Sequence, residues 1–334
     1  SGVLSDISKY MSYMLGTPSI MVATAPSMDG YASVGSAFIL KGTKKSLESL
    51  PPKAIIADID VLREAPMDMI IAGLGDMLGK YSSLRDWKVS SIVNGEYYCD
   101  VVREMVDISL KRCIKNIQGF TRRDGATIEY LMEGLVLVGI AMSFVGNSRP
   151  ASGSEHHMSH FWELISLMDG RRPVAHGIQV GIATILTSRL AESLIDMDID
   201  FDDILREAEI IDQDEWEREI YRVYKEAAPE IIKLNKNPID EAVRERKERV
   251  EIIRDNWSYI VNLIRRAPKA DEIEQLLKKA GEDVPTRPED VGFDRKMIQD
   301  TILYAKEVRQ RYTILQLLGD MGLLEQFAYM GGLY

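Results

Sequence analysis

The four histidines of this 334-residue chain, His156, His157, His160 and His176, fall within 21 consecutive positions. Histidine is the commonest metal ligand and titrates closest to neutral pH, so a chain that gathers its whole complement in one stretch points to one site there. His156 and His160 are four apart and share a face if the stretch is helical. His157 points about 100° away, toward packing or the surface. A bare His-x-x-x-His is a weak pattern, and two helix-surface histidines plus a loop histidine is the competing reading. A catalytic tetrahedral centre needs a third, preferably anionic ligand and one open position. Asp76 suits that role, because in Ala72-Gly73-Leu74-Gly75-Asp76-Met77-Leu78 a carboxylate is costly without a partner. An aspartate after glycine equally suits a helix cap, and on the residues alone both readings stand.

These residues need elements to position them. Ser19–Thr24, Ser36–Leu40 and Ala54–Asp58 read as short strands, the first running into the turn-rich loop Thr24-Ala25-Pro26-Ser27-Met28-Asp29-Gly30. Strand followed by polar loop is where α/β proteins place ligands. From about Pro66 the periodicity is helical, with expected helices over Met67–Trp87, Cys99–Ile117, Ile128–Phe144 and Glu155–Met168. After Asp196 come charged helices over Trp216–Ile232, Ile239–Arg266 and Lys296–Leu318, with breaks near Pro238, Pro268, Pro285 and Pro288. Runs such as Arg244-Glu245-Arg246-Lys247-Glu248-Arg249 read as solvated helix faces. At the start, Ser1-Gly2 reads as a glycine turn entering a helix, an anion site of the kind that normally follows a strand. The strand-helix half that would complete it is expected upstream of Ser1.

Composition narrows the partners. The chain carries 41 basic and 52 acidic residues, a net charge of -11, which argues against a nucleic-acid partner. A small phosphorylated ligand remains compatible, held by a few local donors. Asn147, Ser148, Arg149, Ser152 and Lys80 are the candidates, and the planar fork of Arg149 suits phosphate or the anchoring of a loop. Cys99 and Cys113 lie fourteen apart, about 21 Å along a helix, so they are expected as free thiols. No uninterrupted apolar run reaches membrane-span length and no signal peptide opens the sequence. A cytoplasmic location is expected, and the long C-terminal helices suggest a homo-oligomer, most simply a dimer.

Three segments carry a resemblance to a known family. Thr24-Ala25-Pro26-Ser27-Met28-Asp29-Gly30, Gly73-Leu74-Gly75-Asp76 and Ser148-Arg149-Pro150-Ala151-Ser152-Gly153-Ser154-Glu155-His156 resemble the sn-glycerol-1-phosphate dehydrogenases. That family sits in a group with iron-containing alcohol dehydrogenases, glycerol dehydrogenases and 3-dehydroquinate synthases. The resemblance extends from Ser1 to about Leu190. It implies a dehydroquinate synthase-like architecture. Residues 1–65 are the expected remainder of an α/β dinucleotide-binding domain, and residues 66–334 an all-α metal- and substrate-binding domain. It implies Asp76, His156 and His176 as metal ligands and His160 with Asp76 as catalytic residues. Asp29, Asp76 and His160 are the implied substrate contacts, joined by Arg149 from the phosphate argument. Gly2, Asp6, Thr24, Ser27 and Ser33 are the implied cofactor contacts. The implied cofactors are a divalent metal, zinc first with nickel or iron as alternatives, and NAD or NADP. The implied reaction interconverts sn-glycerol 1-phosphate and dihydroxyacetone phosphate. Competing readings are a 3-dehydroquinate synthase-type carbon-oxygen lyase, another polyol dehydrogenase, and a non-catalytic metal-bearing scaffold. The lyases resemble this chain less, since they place a glutamate and a closely following lysine where it has Asp76 and Lys80.

Overall fold

The computed structural model of the chain describes residues 2–40 and 43–330. It opens with α1 (Gly2–Leu15), followed by β1 (Ile20–Val22), β2 (Gly35–Leu40), β3 (Thr43–Glu48) and β4 (Ala54–Ile56). β1 and β4 pair in parallel, Met21 opposite Ile55, and β2 and β3 form an antiparallel hairpin. The three expected strands are present. β3 was not expected from the sequence, because Thr43-Lys44-Lys45-Ser46-Leu47-Glu48 is too polar to signal a strand and is paired only through the hairpin. Ser1 lies outside the described residues, and Gly2 is already helical, so the expected glycine turn is described only in its helical part. Val3, Leu4, Met14 and Leu15 on α1, with Ile20, Val22 and Ile56 on the strands, leave this end of the fold with an exposed apolar face.

Helices follow without further strands among the described residues. They are α2 (Ile59–Arg63), α3 (Met67–Leu78), α4 (Lys80–Val93), α5 (Asp100–Lys115), α6 (Gly125–Val145), α7 (Ser154–Met168) and α8 (His176–Glu192). The remainder are α9 (Phe201–Glu207), α10 (Gln213–Tyr224), α11 (Ala228–Asn235), α12 (Ile239–Arg266), α13 (Ala270–Ala280), α14 (Arg295–Tyr304), α15 (Ile314–Asp320) and α16 (Leu324–Tyr329). The architecture is therefore an α/β N-terminal part followed by a helical part, as expected.

Three expected helices are interrupted, each for a local reason. Met67–Trp87 is re-aimed at Gly79, which separates α3 from α4 and where a Cβ would press on Val180. Trp216–Ile232 breaks at Lys225, whose φ of 45° leaves the helical region. Lys296–Leu318 ends at Tyr304, because Thr313 starts a new helix. Its hydroxyl accepts from the Leu315 amide, and Gln316 completes a capping box. The segment between α14 and α15 thus contains an extended stretch, with Arg309 at φ −151° and ψ 143°.

Two apolar cores meet on α8. One holds Leu74, Met77, Trp87, Leu110, Leu131, Leu135 and Ile185; the other holds Phe161, Trp162, Ile182, Leu186, Ile260 and Leu318. A helix that faces a core on both sides must be apolar all round, and α8 is buried from Gly177 to Ala191 with little interruption. Among the described residues α6 is the one helix long and apolar enough to cross a membrane by composition. Its Ile128, Leu131, Leu135, Val138 and Ala141 are instead buried in the first core. Cys113 is buried in α5 with its thiol pushed up to about 12 by burial, Cys99 stands at the N-cap position, and both are free.

Candidate metal centre

The site is built where α3 crosses α8 with almost no spacing. A Cβ on Gly75 would lie 2.1 Å from the Gly177 carbonyl oxygen, and one on Gly177 would lie 1.8 Å from that of Ala72. Only glycine permits that approach. It sets Asp76, one residue beyond Gly75, against His176, one residue before Gly177. On the other side of α3 the same device works at Gly73, whose Cβ would strike the Pro26 carbonyl oxygen. That contact brings in the loop that carries Asp29. The Asp29 amide donates to Asp76 Oδ2 at 2.9 Å.

His156 comes from the first turn of α7. Its Nε2 lies 3.6 Å from Asp76 Oδ1. Donor atoms of Asp76, His156 and His176 all fall within 4.8 Å of one another. That spacing and the carboxylate-plus-two-imidazole donor set fit one divalent cation with a position left open. His160 stands one turn further along α7, stacked on His176 at 5.5 Å between ring centroids and 18° between planes. It faces the cluster without belonging to the donor set. The four-residue spacing of His156 and His160 therefore sets one in the donor set and the other beside it.

The two imidazoles are held in defined orientations. Glu155 Oε1 lies 2.7 Å from His156 Nδ1 and also accepts from the Gly153 amide. The carboxylate fixes the Nδ1-protonated tautomer and leaves Nε2 as a lone-pair donor facing Asp76. Ser159 Oγ lies 3.2 Å from His176 Nδ1 and donates to Gln179 Oε1 at 3.1 Å, and the Gln179 amide donates to the Val174 carbonyl. This chain orients His176 the same way. Burial, with the Lys80 ammonium nearby, holds the His156 imidazole down to about 3, so it is neutral and able to bind a cation. Burial also raises the Glu155 carboxyl above its ordinary range.

Lys80, one turn after Asp76, is fully buried. Its Nζ donates to Asp29 Oδ2 at 2.6 Å, Asp76 Oδ1 at 3.2 Å and the Ala151 carbonyl at 3.1 Å. Burial opposes its charge, but the two aspartates outweigh that and raise it. All three donor directions of the ammonium are taken up, so the expected role of Lys80 toward phosphate is replaced by tying Asp29 to Asp76. Asp29, expected at the substrate, is at the site with one oxygen committed to Lys80.

Arg149 is buried in the Asn147–Ser152 loop. Its Nε donates to Glu96 at 2.8 and 3.0 Å and its Nη2 to the Tyr312 carbonyl. This is the loop-anchoring geometry; Nη1 alone has no partner. His157, expected to pack or face solvent, is wholly buried, and neither ring nitrogen has a hydrogen-bond partner.

The expected cofactor contacts all belong to the N-terminal part. Gly2 begins α1, near Met28, and Asp6 pairs with Lys9. Thr24 is exposed and Ser27 half-buried. Ser33 is buried, its hydroxyl engaged with the Gly30 and Gly35 carbonyls and with Lys9 Nζ, which ties α1 to this loop. Sequence reasoning passed over Glu155, Ser159, Gln179, Arg309 and Arg311. The Thr313-x-x-Gln316 capping signature would have released the two arginines from an expected helix.

A family model described as iron-containing alcohol dehydrogenase matches residues 1–66. A solved structure, a probable glycerol dehydrogenase from Sinorhizobium meliloti 1021, superposes with a TM-score of 0.56 at 13% identity, covering 98% of this chain and 75% of that one. The superposition shows that the two chains share a fold. The glycerol-1-phosphate dehydrogenase (NAD(P)+) of Bacillus licheniformis is 32% identical over 326 residues, which are 97% of this chain and 67% of that protein. That of Geobacillus thermodenitrificans is 32% identical over 326 residues, 97% of this chain and 71% of that protein. The chain belongs to the glycerol-1-phosphate dehydrogenase family, and it spans about two thirds to seven tenths of these relatives' length.

Proposed function

We propose that Asp76, His156 and His176 hold one divalent cation, zinc by preference, and that the chain serves the NAD(P)-linked interconversion of sn-glycerol 1-phosphate and dihydroxyacetone phosphate. The observation that carries this reading is the convergence of these three side chains beside His160, in a member of a family whose curated relatives bear that activity in their names. When bound, the cation supplies Lewis acidity toward the substrate oxygen, and the nicotinamide supplies the hydride acceptor or donor.

The chain's own groups do the rest. Asp76, His156 and His176, one carboxylate and two neutral imidazoles, would leave a bound divalent cation with net positive charge, which would ease loss of the carbinol proton. Oxidation releases one hydroxyl proton and one hydride from the carbinol carbon; His160, facing the cluster from the next turn, takes the proton. Asp29, immobilised by Lys80, is placed to accept a hydrogen bond from the substrate's second hydroxyl. Glu155 and Ser159 keep the two imidazoles aimed at the centre. Free Cys99 and Cys113 suit a reducing compartment, the cytoplasm.

The test is nicotinamide absorbance with dihydroxyacetone phosphate. NAD(P)H oxidation that depends on this ketone, disappears on chelation and returns with a divalent cation is expected. Oxidation unaffected by chelation, or turnover of unphosphorylated ketones only, would overturn the reading.

A further inference from the structure

The extended segment between α14 and α15 brings two arginines to the loop that precedes α7. Arg311 Nη1 donates to Ser148 Oγ at 2.9 Å. Arg309 reaches Ser46 Oγ on β3 at 3.5 Å. Arg149 is already there, bound to the Tyr312 carbonyl from the same segment. Three guanidiniums thus share a small region, and the carboxylates whose charge they feel include Glu96 beside Arg149 and Arg311 and Glu163 near Arg309. Burial brings the Arg309 guanidinium down to about 10. Burial, then the charges of Arg309 and Arg149, bring Arg311 down to about 9. Arginine ordinarily keeps its proton far above that range.

A second, separate observation concerns polar atoms. Arg149 Nη1, Ser152 Oγ and both ring nitrogens of His157 are buried without a hydrogen-bond partner. Native interiors rarely leave such groups unsatisfied, and here they accompany the uncompensated charge. Ala151, between Arg149 and Ser152, accepts from Lys80 Nζ at 3.1 Å, so the loop that carries the cluster reaches the metal centre. Lys80, the other cation near the centre, has no donor to spare.

We infer that Arg309 and Arg311, backed by Arg149 and Ser152, form the binding site for a phosphomonoester dianion, the phosphoryl end of the substrate. Guanidinium forks match phosphate oxygens in pairs, and a dianion beside three arginines relieves their mutual repulsion. The assignment rests on the proposed reaction for the identity of the ester, and on the arginines alone for the anion. The same chemistry has a second source, the pyrophosphate of the nicotinamide cofactor, and the test separates the two.

Inorganic phosphate and sn-glycerol 1-phosphate are titrated calorimetrically into the cation-loaded chain, with Arg311→Gln and Arg309→Gln beside the parent. Each variant is expected to bind both ligands about tenfold or more weakly, the scale of one lost charge-assisted hydrogen bond, with cation stoichiometry unchanged. Arg311→Lys keeps the charge without the fork and is expected to fall between. Equal affinity in parent and variants overturns the inference. So does displacement of phosphate by NADH, which gives the site to the cofactor. Phosphate binding that follows the arginines in a chain unable to reduce dihydroxyacetone phosphate would count against the proposed reaction alone.

Discussion

The two sides of the site solve the problem of buried charge in opposite ways. The floor, from α3, α7 and the Asp29 loop, is internally balanced: Lys80 lies between Asp29 and Asp76, and Glu155 braces His156. The wall, from the Asn147–Ser152 loop and the segment before α15, carries three guanidiniums with fewer anions and leaves buried donors unpaired. A balanced cluster holds its shape before any ligand arrives, whereas an unbalanced one gains most when an anion joins it. The contrast locates the preorganised centre at the floor and the ligand-dependent contact at the wall.

Substitutions should separate the two in a graded way. Lys80→Met leaves two buried carboxylates without their counter-charge, and chemical denaturation should show a loss of about 3–5 kcal/mol, as for one partner removed from a buried pair. The deficit should shrink when a divalent cation is supplied; a variant as stable as the parent would break the picture of a charge-balanced floor. Gly177→Ala drives a methyl into the Ala72 backbone, which no side-chain rotation relieves. A loss of about 1–3 kcal/mol or more, with weakened cation binding, is expected in the same assay. Glu155→Gln and Ser159→Ala remove the braces of His156 and His176. Each should lower cation affinity by about 10–100-fold, the usual range for outer partners of metal-binding histidines, with little change in thermal unfolding. Arg311→Gln is the smallest effect on the empty fold. Without phosphate its unfolding free energy should stay within about 0.5 kcal/mol of the parent or rise, because a like charge has left a crowded wall.

The floor was far more legible in the sequence than the wall. Histidines at spacing four on a periodic helix, and an aspartate stranded among glycines and apolar residues, announce themselves because each violates what its surroundings would otherwise hold. The glycines of the α3–α8 crossing were visible too, although their partners, backbone carbonyls of a remote segment, were not. Glu155 stood next to His156 in plain view, but its role depends on a rotamer rather than on spacing. Lys80 was read as a phosphate donor because the sequence does not show that Asp29 and Ala151 fold onto it. Arg309 and Arg311 lie about 160 positions from the loop they meet and were hidden inside an expected helix. Arg149 was recognised as a fork without any sign that Glu96 and Tyr312 already fill most of it. The short strands were legible except for β3, whose existence rests on hairpin pairing.

The central claim is that Asp76, His156 and His176 bind a single divalent cation, and cobalt reports on it most directly. Titration of the chain with Co2+ is expected to give visible ligand-field bands of a tetrahedral site that saturate at one equivalent, and Asp76→Ala, His156→Ala or His176→Ala should each abolish them. Bands that persist in those variants, or a parent chain that shows none, would contradict the account.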